Sequence, residues 1–427
     1  VARVGGNGKG AATLHVGIIG LGGGASDMMP AFVQHPHMQL TAAADIDPGQ
    51  LEHFRREFHG ETYQSAEALC ANPQVDVVYI ATPNQFHTAH ALLALEQGKH
   101  VLVEKPMTLT LEDADVMIAA AARQGVQLLV NVKHSFDPYV VKIREIVQSG
   151  ELGQLRMLHY WYFSDWLYRP RTAEELNPSL GGGVTWRQGP HQFDIVRTIA
   201  GGMVRSVRAM TGMWDERRPV VGCHAAYLEF EDGTAATAVY SGYDHFNSRA
   251  LTFGVGEARP AAASATYAQA RRTLRQLGSG EAETTLKRAQ RYGGRERAAG
   301  TAPRRSAGWV LGGPLIVTFD KGDVQLTPGS LRVYGDEDQR DIPISTQTDG
   351  RHGIVNHIPI STETDGRHGI VNQLYEAVVN GRRPFADGRW GKATVEVLLA
   401  VLASARERRE VFLAHQVPLP HETVSGA

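Results

Sequence analysis

LHVGIIGLGGGASDMMPAFVQHPHMQLTAAAD, residues 14–45, decides the fold. An apolar strand runs into a glycine turn, a helix, and a second apolar strand that ends in an acid. The turn places Gly20, Gly22 and Ala25 in the spacing G-x-G-x-x-G/A. The first glycine permits the tight turn, the second lets backbone approach a pyrophosphate, and the small third residue lets helix and strand pack closely. The phosphates would sit on free N–H groups at the start of the following helix, with Gly23 also among the candidate cofactor contacts. Asp45 closes the second strand 25 residues after Gly20, near the ~20-residue offset expected of the acid that takes the ribose hydroxyls. Its carboxylate would repel a 2′-phosphate, so NAD is expected over NADP.

Outward from this stretch, the chain is long enough for more than one domain. With 427 residues, two are expected. A formal net charge of −2 gives no broad attraction to nucleic acid or to an anionic membrane, and neither is expected as a partner. No apolar run approaches the ~20 residues that span a bilayer. The N-terminus, VARVGGNGKGAAT, lacks an apolar core segment and reads as a flexible leader over residues 1–12. Cys70 and Cys223 have neither metal-ligand nor disulfide spacing, so no metal is expected and a reducing cytoplasm is the simplest setting.

From Val75 to Val132 strand and helix alternate: VDVVYIAT, a helix over 87–97, HVLVEK, a helix over 111–123, and VQLLVNV. Short apolar strands separated by amphipathic helices predict a parallel sheet covered on both faces. Pro83, Pro106 and Pro138 stop strands where loops leave the carboxyl edge, the ligand edge of open α/β sheets. Those loops, TPNQFH and EKPMTL, supply Thr82, Pro83, Asn84, His87, Glu104 and Lys105 as candidate cofactor contacts. Lys133 and His134 follow the last strand of this set and are given no role.

After about Phe136 the pattern changes. DPYVVKIREIVQSGELG reads as a helix, and RMLHYWYF, AAYLEFEDGTAATAVYSGY and PLIVTFDKGDVQLTPGSLRVYGDE read as β-rich strands joined by Asp-Gly and Lys-Gly turns. The expectation is an α/β Rossmann domain over 13–135. An α+β domain over 136–420 would follow, with an open, mostly antiparallel sheet that binds substrate and mediates oligomerisation. Two departures interrupt this plan. Residues 258–308 are basic, with Arg271, Arg272, Arg275, Lys287, Arg288, Arg291, Arg304 and Arg305, and read as a solvated helical excursion or a subunit contact. IPISTQTDGRHGIVNH at 342–357 recurs as IPISTETDGRHGIVNQ at 358–373. One duplication is too short for a solenoid. The second copy runs into a helix and is the structural one, so the first is expected to be extruded as a loop.

These pieces resemble the Gfo/Idh/MocA oxidoreductases from about His15 to Leu413. The motifs that carry the likeness are ATPNQFH, the triplet Glu104-Lys105-Pro106 and GPHQFDIV after a GGG turn. The resemblance places Lys105 between nicotinamide and substrate hydroxyl, where an ammonium can stabilise developing negative charge on oxygen. It makes His191 the general acid/base, a role that suits a neutral imidazole. It also implies a homo-oligomer, dimer or tetramer, through the C-terminal sheet.

One position departs from the family. Many members carry Asp four residues before the histidine, where this chain has Arg187. With Arg169 and Arg171 in WLYRPRTAEEL, the site is read as cationic, because Arg forks bind carboxylates bidentately. A small anionic substrate follows, as does a histidine kept neutral by its cationic neighbour. Residues 164–197 resemble more narrowly the phthalate cis-4,5-dihydrodiol dehydrogenases of the family. That likeness implies NAD-dependent oxidation of 4,5-dihydro-4,5-dihydroxyphthalate to 4,5-dihydroxyphthalate. An ordinary polyol or sugar dehydrogenase, an NAD-dependent glycosidase and a non-enzymatic NAD-sensing regulator remain alternatives.

Overall fold

Residues 12–252, 268–289, 292–293, 312–344, 353–355, 358–360 and 366–420 are described by the computed structural model. The expected leader falls outside them apart from residue 12, as does much of 258–308 and of the first repeat. The chain forms two units, the first drawn from 1–132, 285–300 and 367–395 and the second from 133–284, 301–366 and 396–427.

In the first unit, β1 (Leu14–Ile19), α1 (Gly23–Gln34), β2 (Met38–Ala44), α2 (Pro48–Phe58), β3 (Glu61–Tyr63) and α3 (Ala66–Cys70) form the opening half. They are followed by β4 (Val77–Ile80), α4 (His87–Glu96), β5 (His100–Val103), α5 (Leu111–Gln124) and β6 (Leu128–Val130). All strand pairs are parallel, in the order β3-β2-β1-β4-β5-β6. The order reverses between β1 and β4, and this switch point is where doubly wound sheets open a ligand crevice. Val16, Ile18, Val77, Ile80 and Val103 have no exposed surface. Each such side chain contributes roughly 1.5–3 kcal/mol on burial, which explains why these strands are apolar without alternation. Local chemistry sets the helix starts: Asp47 accepts the Gly49 N–H at 2.9 Å ahead of Pro48, and Thr110 accepts the Asp113 N–H at 3.1 Å.

The second unit begins with α6 (Pro138–Ser149), capped by Asp137, and β7 (Leu155–Phe163), followed by α7 (Val184–Arg187) and α8 (Gly189–Ala200). Next come β8 (Val204–Gly212), β9 (Cys223–Phe230), β10 (Ala235–Ser241), α9 (Gln269–Leu277) and α10 (Gly280–Ala289). The strands β11 (Leu315–Phe319), β12 (Gly322–Thr327), β13 (Ser330–Gly335) and β14 (Gln339–Pro343) complete the meander. Beyond them the chain runs through β15 (Gly353–Val355), β16 (Ile358–Ile360), α11 (Gly366–Val379) and α12 (Gly388–Glu407), of which residues 367–395 belong to the first unit, and on to β17 (Val411–Phe412). Nine strands form one open sheet in the order β14-β13-β12-β11-β7-β10-β9-β8-β17. Only the β7–β10 pairing in it is parallel, so the expected mostly antiparallel sheet is present. Tyr160, Tyr162, Leu228, Ala238 and Val317 are buried on one face, with α8 packed against β7 and β10.

Two features differ from the sequence expectation. The second domain is not one continuous run from 136, because residues 367–395 fold with the first unit. There Val130 N–H donates to Ala386 O at 2.9 Å, Gln373 Oε1 accepts the Ala386 N–H at 3.1 Å, and Gly391 lies against Val130 and Met107. An amphipathic helix does not announce its partner in sequence, so this return was invisible. The first repeat is not wholly a loop either. Its Gly353–Val355 pairs antiparallel with Ile358–Ile360, whereas the matching Gly369-Ile370-Val371 is helical in α11. Identical local sequence thus adopts two structures, and tertiary context rather than propensity decides which.

Candidate active site

The nucleotide end of the first unit is built on the β1–α1 turn. Gly20 has φ +88°, and a Cβ there would lie 2.9 Å from Thr82 Cγ2, so both conformation and space require glycine. Gly22 caps α1 without a side-chain hydrogen bond, and the first turn carries no acid. Its amides therefore suit an external anion. Gly23 opens the helix with nothing near its Cβ position, and Ala25 is fully buried. Asp45 is held rigidly: Oδ2 accepts the Leu21 N–H at 2.7 Å and Oδ1 the Asp47 N–H at 2.8 Å. Each oxygen keeps a lone pair for a ribose hydroxyl. These features fit a dinucleotide.

The loops after β4 and β5 stand at the same carboxyl edge. Glu104 Oε1 accepts the Tyr79 hydroxyl at 2.6 Å and Asn131 Nδ2 at 2.5 Å. Burial, then the neighbouring Glu104 charge, pushes the Tyr79 phenol well above its ordinary value, so it remains a donor. Gly24 lies close to this carboxylate: a Cβ there would sit 3.3 Å from Glu104 Cγ, a tight approach that the side chain would have to yield to. Glu104 therefore fixes the backbone from which partly exposed Lys105 projects. Thr82 Oγ1 lies 3.1 Å from His90 Nδ1, Pro83 is exposed, and Asn84 is 5% exposed. His87 requires a correction as a cofactor contact. It is fully buried, with Nδ1 2.8 Å from Pro106 O and Nε2 2.9 Å from Thr82 O, and so ties the two loops together.

Within the second unit, α7 and α8 carry Arg187 and His191. Gly183, at φ +91°, turns the chain so that Val184 N–H donates to Val221 O at 2.7 Å. Gln192 anchors α8 to the sheet, donating from Nε2 to Tyr160 O and Val239 O, both at 3.0 Å. Burial drives the His224 imidazole down to about 3, so the ring is neutral. Its Nε2–H then donates to Gln192 Oε1 at 2.9 Å, and Nδ1 accepts the Thr185 hydroxyl at 3.2 Å. One neutral histidine thereby joins both helices to β9. His191, partly exposed, meets the ring of His134 edge to face, with centroids 4.4 Å apart. The turn that bears His134 is fixed by the Ser135 hydroxyl, which donates to Asp194 and accepts from Thr198 at 2.9 Å.

The three arginines separate. Arg187 is partly exposed at the end of α7. Arg169 is partly exposed and its Nε donates to Asp165 at 3.0 Å. Arg171 is corrected from substrate contact to scaffold: it is 8% exposed and lies 3.7 Å over the Trp166 ring. It donates to Trp166 O at 2.7 and 3.1 Å and pairs with Glu175 at 3.5 Å. Burial lowers its guanidinium to about 10, still well above neutrality. Sequence reading missed Gly24, Tyr79, Asn131, Gln192 and His224. A tyrosine inside an apolar strand, which must satisfy a buried hydroxyl, was the one available signal.

Residues 14–132 match the oxidoreductase family with an NAD-binding Rossmann fold, and residues 140–255 match the GFO/IDH/MocA C-terminal domain. The chain belongs to the GFO/IDH/MocA oxidoreductases, and its first unit is an NAD-binding domain. It is 35% identical over 398 residues to 1-carboxy-3-chloro-3,4-dihydroxycyclohexa-1,5-diene dehydrogenase of Comamonas testosteroni, covering 92% of this chain and 95% of the relative. Trans-1,2-dihydrobenzene-1,2-diol dehydrogenase of Mus musculus is 34% identical over 172 residues, 40% of this chain and 51% of that protein. A dehydrogenase-like crystal structure from Bordetella bronchiseptica RB50 superposes with a TM-score of 0.82 at 38% identity, covering 94% of this chain and 100% of its own. Among the described residues no helix is long and apolar enough to cross a membrane, and no cluster of acids, His and Cys could hold a metal.

Nucleotide preference is open to direct test. The unaltered protein is expected to turn over faster with NAD than with NADP. Asp45→Ser combined with Ile46→Arg, at a position 89% exposed, is expected to raise kcat/KM for NADP about tenfold or more. Equal or better turnover of the unaltered protein with NADP would overturn the role given to Asp45.

Proposed function

We propose that this chain oxidises 4,5-dihydro-4,5-dihydroxyphthalate to 4,5-dihydroxyphthalate with NAD, in the breakdown of aromatic acids. The observation that carries the reading is Arg187, a partly exposed guanidinium on α7, one turn before His191, where many family members have a carboxylate. An acid there would orient a polyol, whereas an arginine fork favours a carboxylate. The Comamonas relative, matched over nearly its whole length, is named for a carboxylated dihydroxycyclohexadiene, which supports the same ring chemistry.

Bound NAD supplies the acceptor for the carbinol hydrogen and its electron pair. Lys105 donates a hydrogen bond to the hydroxyl oxygen and stabilises the charge that develops as its proton leaves. His191 takes that proton. The resulting enone tautomerises to a catechol, and aromatisation draws the reaction forward. Arg187, with Arg169, holds the ring carboxylates and excludes neutral polyols.

A homo-oligomer through the C-terminal sheet belongs to the same reading. Strand register puts Met157, Trp161, Met210, Tyr227, Ile316 and Tyr334 on the sheet face away from α8, each 36–49% exposed. An apolar face of this extent suits a second copy of the chain. The thiols of Cys70 and Cys223, buried and unpaired with each other, suit a reducing cytoplasm.

Purified protein with NAD and a panel of cis-dihydrodiols tests the substrate. The dicarboxylated ring is expected to give the highest kcat/KM and the uncarboxylated ring at least tenfold less, the scale of one lost charge-assisted contact. Faster turnover of sugars than of any dihydrodiol would overturn it.

A further inference from the structure

We infer that α9 and α10, the described helices of the basic stretch, form a specificity-determining clamp. Through Arg271 on α9 and Glu283 on α10, it holds the Trp166–Arg171 segment in the conformation that reads a ring-carboxylated substrate. This inference rests on the substrate reading above and assigns a role to residues that reading leaves unused.

The described helices of the insertion lie largely at the surface, α9 with no buried residue and α10 with Glu283 alone, yet two of their side chains are tied to the body of the second unit. The Arg271 guanidinium lies 4.0 Å over the Tyr168 ring, and it donates to Asp244 O at 2.9 Å and to Tyr243 O at 2.5 Å. A guanidinium that stacks on one ring while its two Nη groups bond two successive carbonyls fixes both sides of the contact. Tyr243 in turn packs against Tyr168 and stacks on Trp214, with centroids at 6.4 and 4.8 Å. Arg271 thus closes a short ladder of rings over the segment that carries Arg169.

Glu283 makes the second attachment. It is 8% exposed, and its Oε2 accepts both the Arg171 backbone N–H at 3.1 Å and Arg218 Nη2 at 2.7 Å. The Arg218–Glu283 pair is almost wholly buried, with side chains 5% and 10% exposed. A desolvated pair of this kind contributes less to net stability than to a single defined geometry. Here the geometry it defines is that of the backbone at Arg171, two residues beyond Arg169.

The clamped segment also reaches α7. Trp166 and Leu167 share one apolar cluster with Val184, Val220 and Tyr240, and Leu167 N–H donates to Gly242 O at 3.0 Å. Val184 begins the helix that ends in Arg187. Arg169 and Arg187 are therefore supported by one packed body, to which Arg271 and Glu283 are bonded. Arg271 and Glu283 act as positioning residues through Arg169 and Arg187, with no part in hydride or proton transfer.

The test compares Arg271→Ala and Glu283→Gln with the unaltered full-length protein on two substrates, the dicarboxylated cis-dihydrodiol and an uncarboxylated one, with NAD saturating. The expected result is a KM for the dicarboxylate raised about tenfold, kcat within twofold, KM for NAD unchanged, and little effect on the uncarboxylated diol. Arg169→Ala combined with Arg271→Ala should lose less than the product of the single losses, because both act on one contact. Arg271→Lys keeps a cation near Tyr168 but lacks the planar fork that stacks on the ring while reaching both carbonyls. It should fall between, and it replaces the alanine variant if that does not fold. Selectivity unchanged in these variants, or equal losses on both diols and on NAD, would overturn the clamp. An unaltered protein with no preference for the carboxylated ring would defeat the substrate reading instead, so the two failures are distinguishable.

Discussion

Lys105→Ala and His191→Ala are each expected to lower kcat by about 10² or more while NAD still binds, as followed by quenching of protein fluorescence or by calorimetry. A loss of that size corresponds to about 2.7 kcal/mol of transition-state stabilisation, the scale of one missing electrostatic or acid/base group. The structure gives each residue a rigid base. Lys105 follows Glu104, whose carboxylate is fixed by Tyr79 and Asn131. His191 precedes Gln192, which bonds two strands and the neutral ring of His224. Neither substitution removes a group that holds α1 or Asp45, so nucleotide affinity is expected to survive. Near-normal kcat in either variant would remove that residue from the chemistry.

Arg187 is expected to give the second large effect. Arg187→Ala should lower kcat/KM for the dicarboxylated diol by about 10²-fold, in line with roughly 1.5–3 kcal/mol for a charged hydrogen bond. Arg187→Lys should recover only part of this, because a point-charge ammonium cannot reproduce a bidentate fork. Arg187→Asp should abolish use of the dicarboxylate by opposing like charges. An analogue without ring carboxylates should be poor for the unaltered protein yet lose little more in Arg187→Ala, so the two deletions combine less than additively. Additive losses would make Arg187 a scaffold residue like Arg171.

The contrast between those two arginines marks where sequence reading stops. Each stands close to a tryptophan in sequence, and nothing local separates a guanidinium stacked on Trp166 and bonded to its carbonyl from one at a helix end. His87 fails in the same way. Its position after a TPN loop suggested a ligand contact, whereas its ring joins two carbonyls inside the fold. The glycine turn was legible because its chemistry is local, a positive φ and a close approach at Gly20, and so was the placing of Asp45 at the end of β2, whose role the nucleotide comparison tests. The parallel sheet was legible for a related reason, since unbroken apolar strands require helices on both faces, whereas the short edge strand β3 and the strand order were not. The return of residues 367–395 to the first unit and the grip of Arg271 and Glu283 depend on contacts between distant segments, which no spacing encodes.

The central claim, dehydrogenation of a ring-carboxylated dihydrodiol, is tested most directly by following NADH absorbance and the aromatic proton signals of the product in one reaction mixture. With 4,5-dihydro-4,5-dihydroxyphthalate the account predicts one NADH formed for each 4,5-dihydroxyphthalate released. Absence of the catechol, or turnover of glycosides with no net NADH, would contradict it.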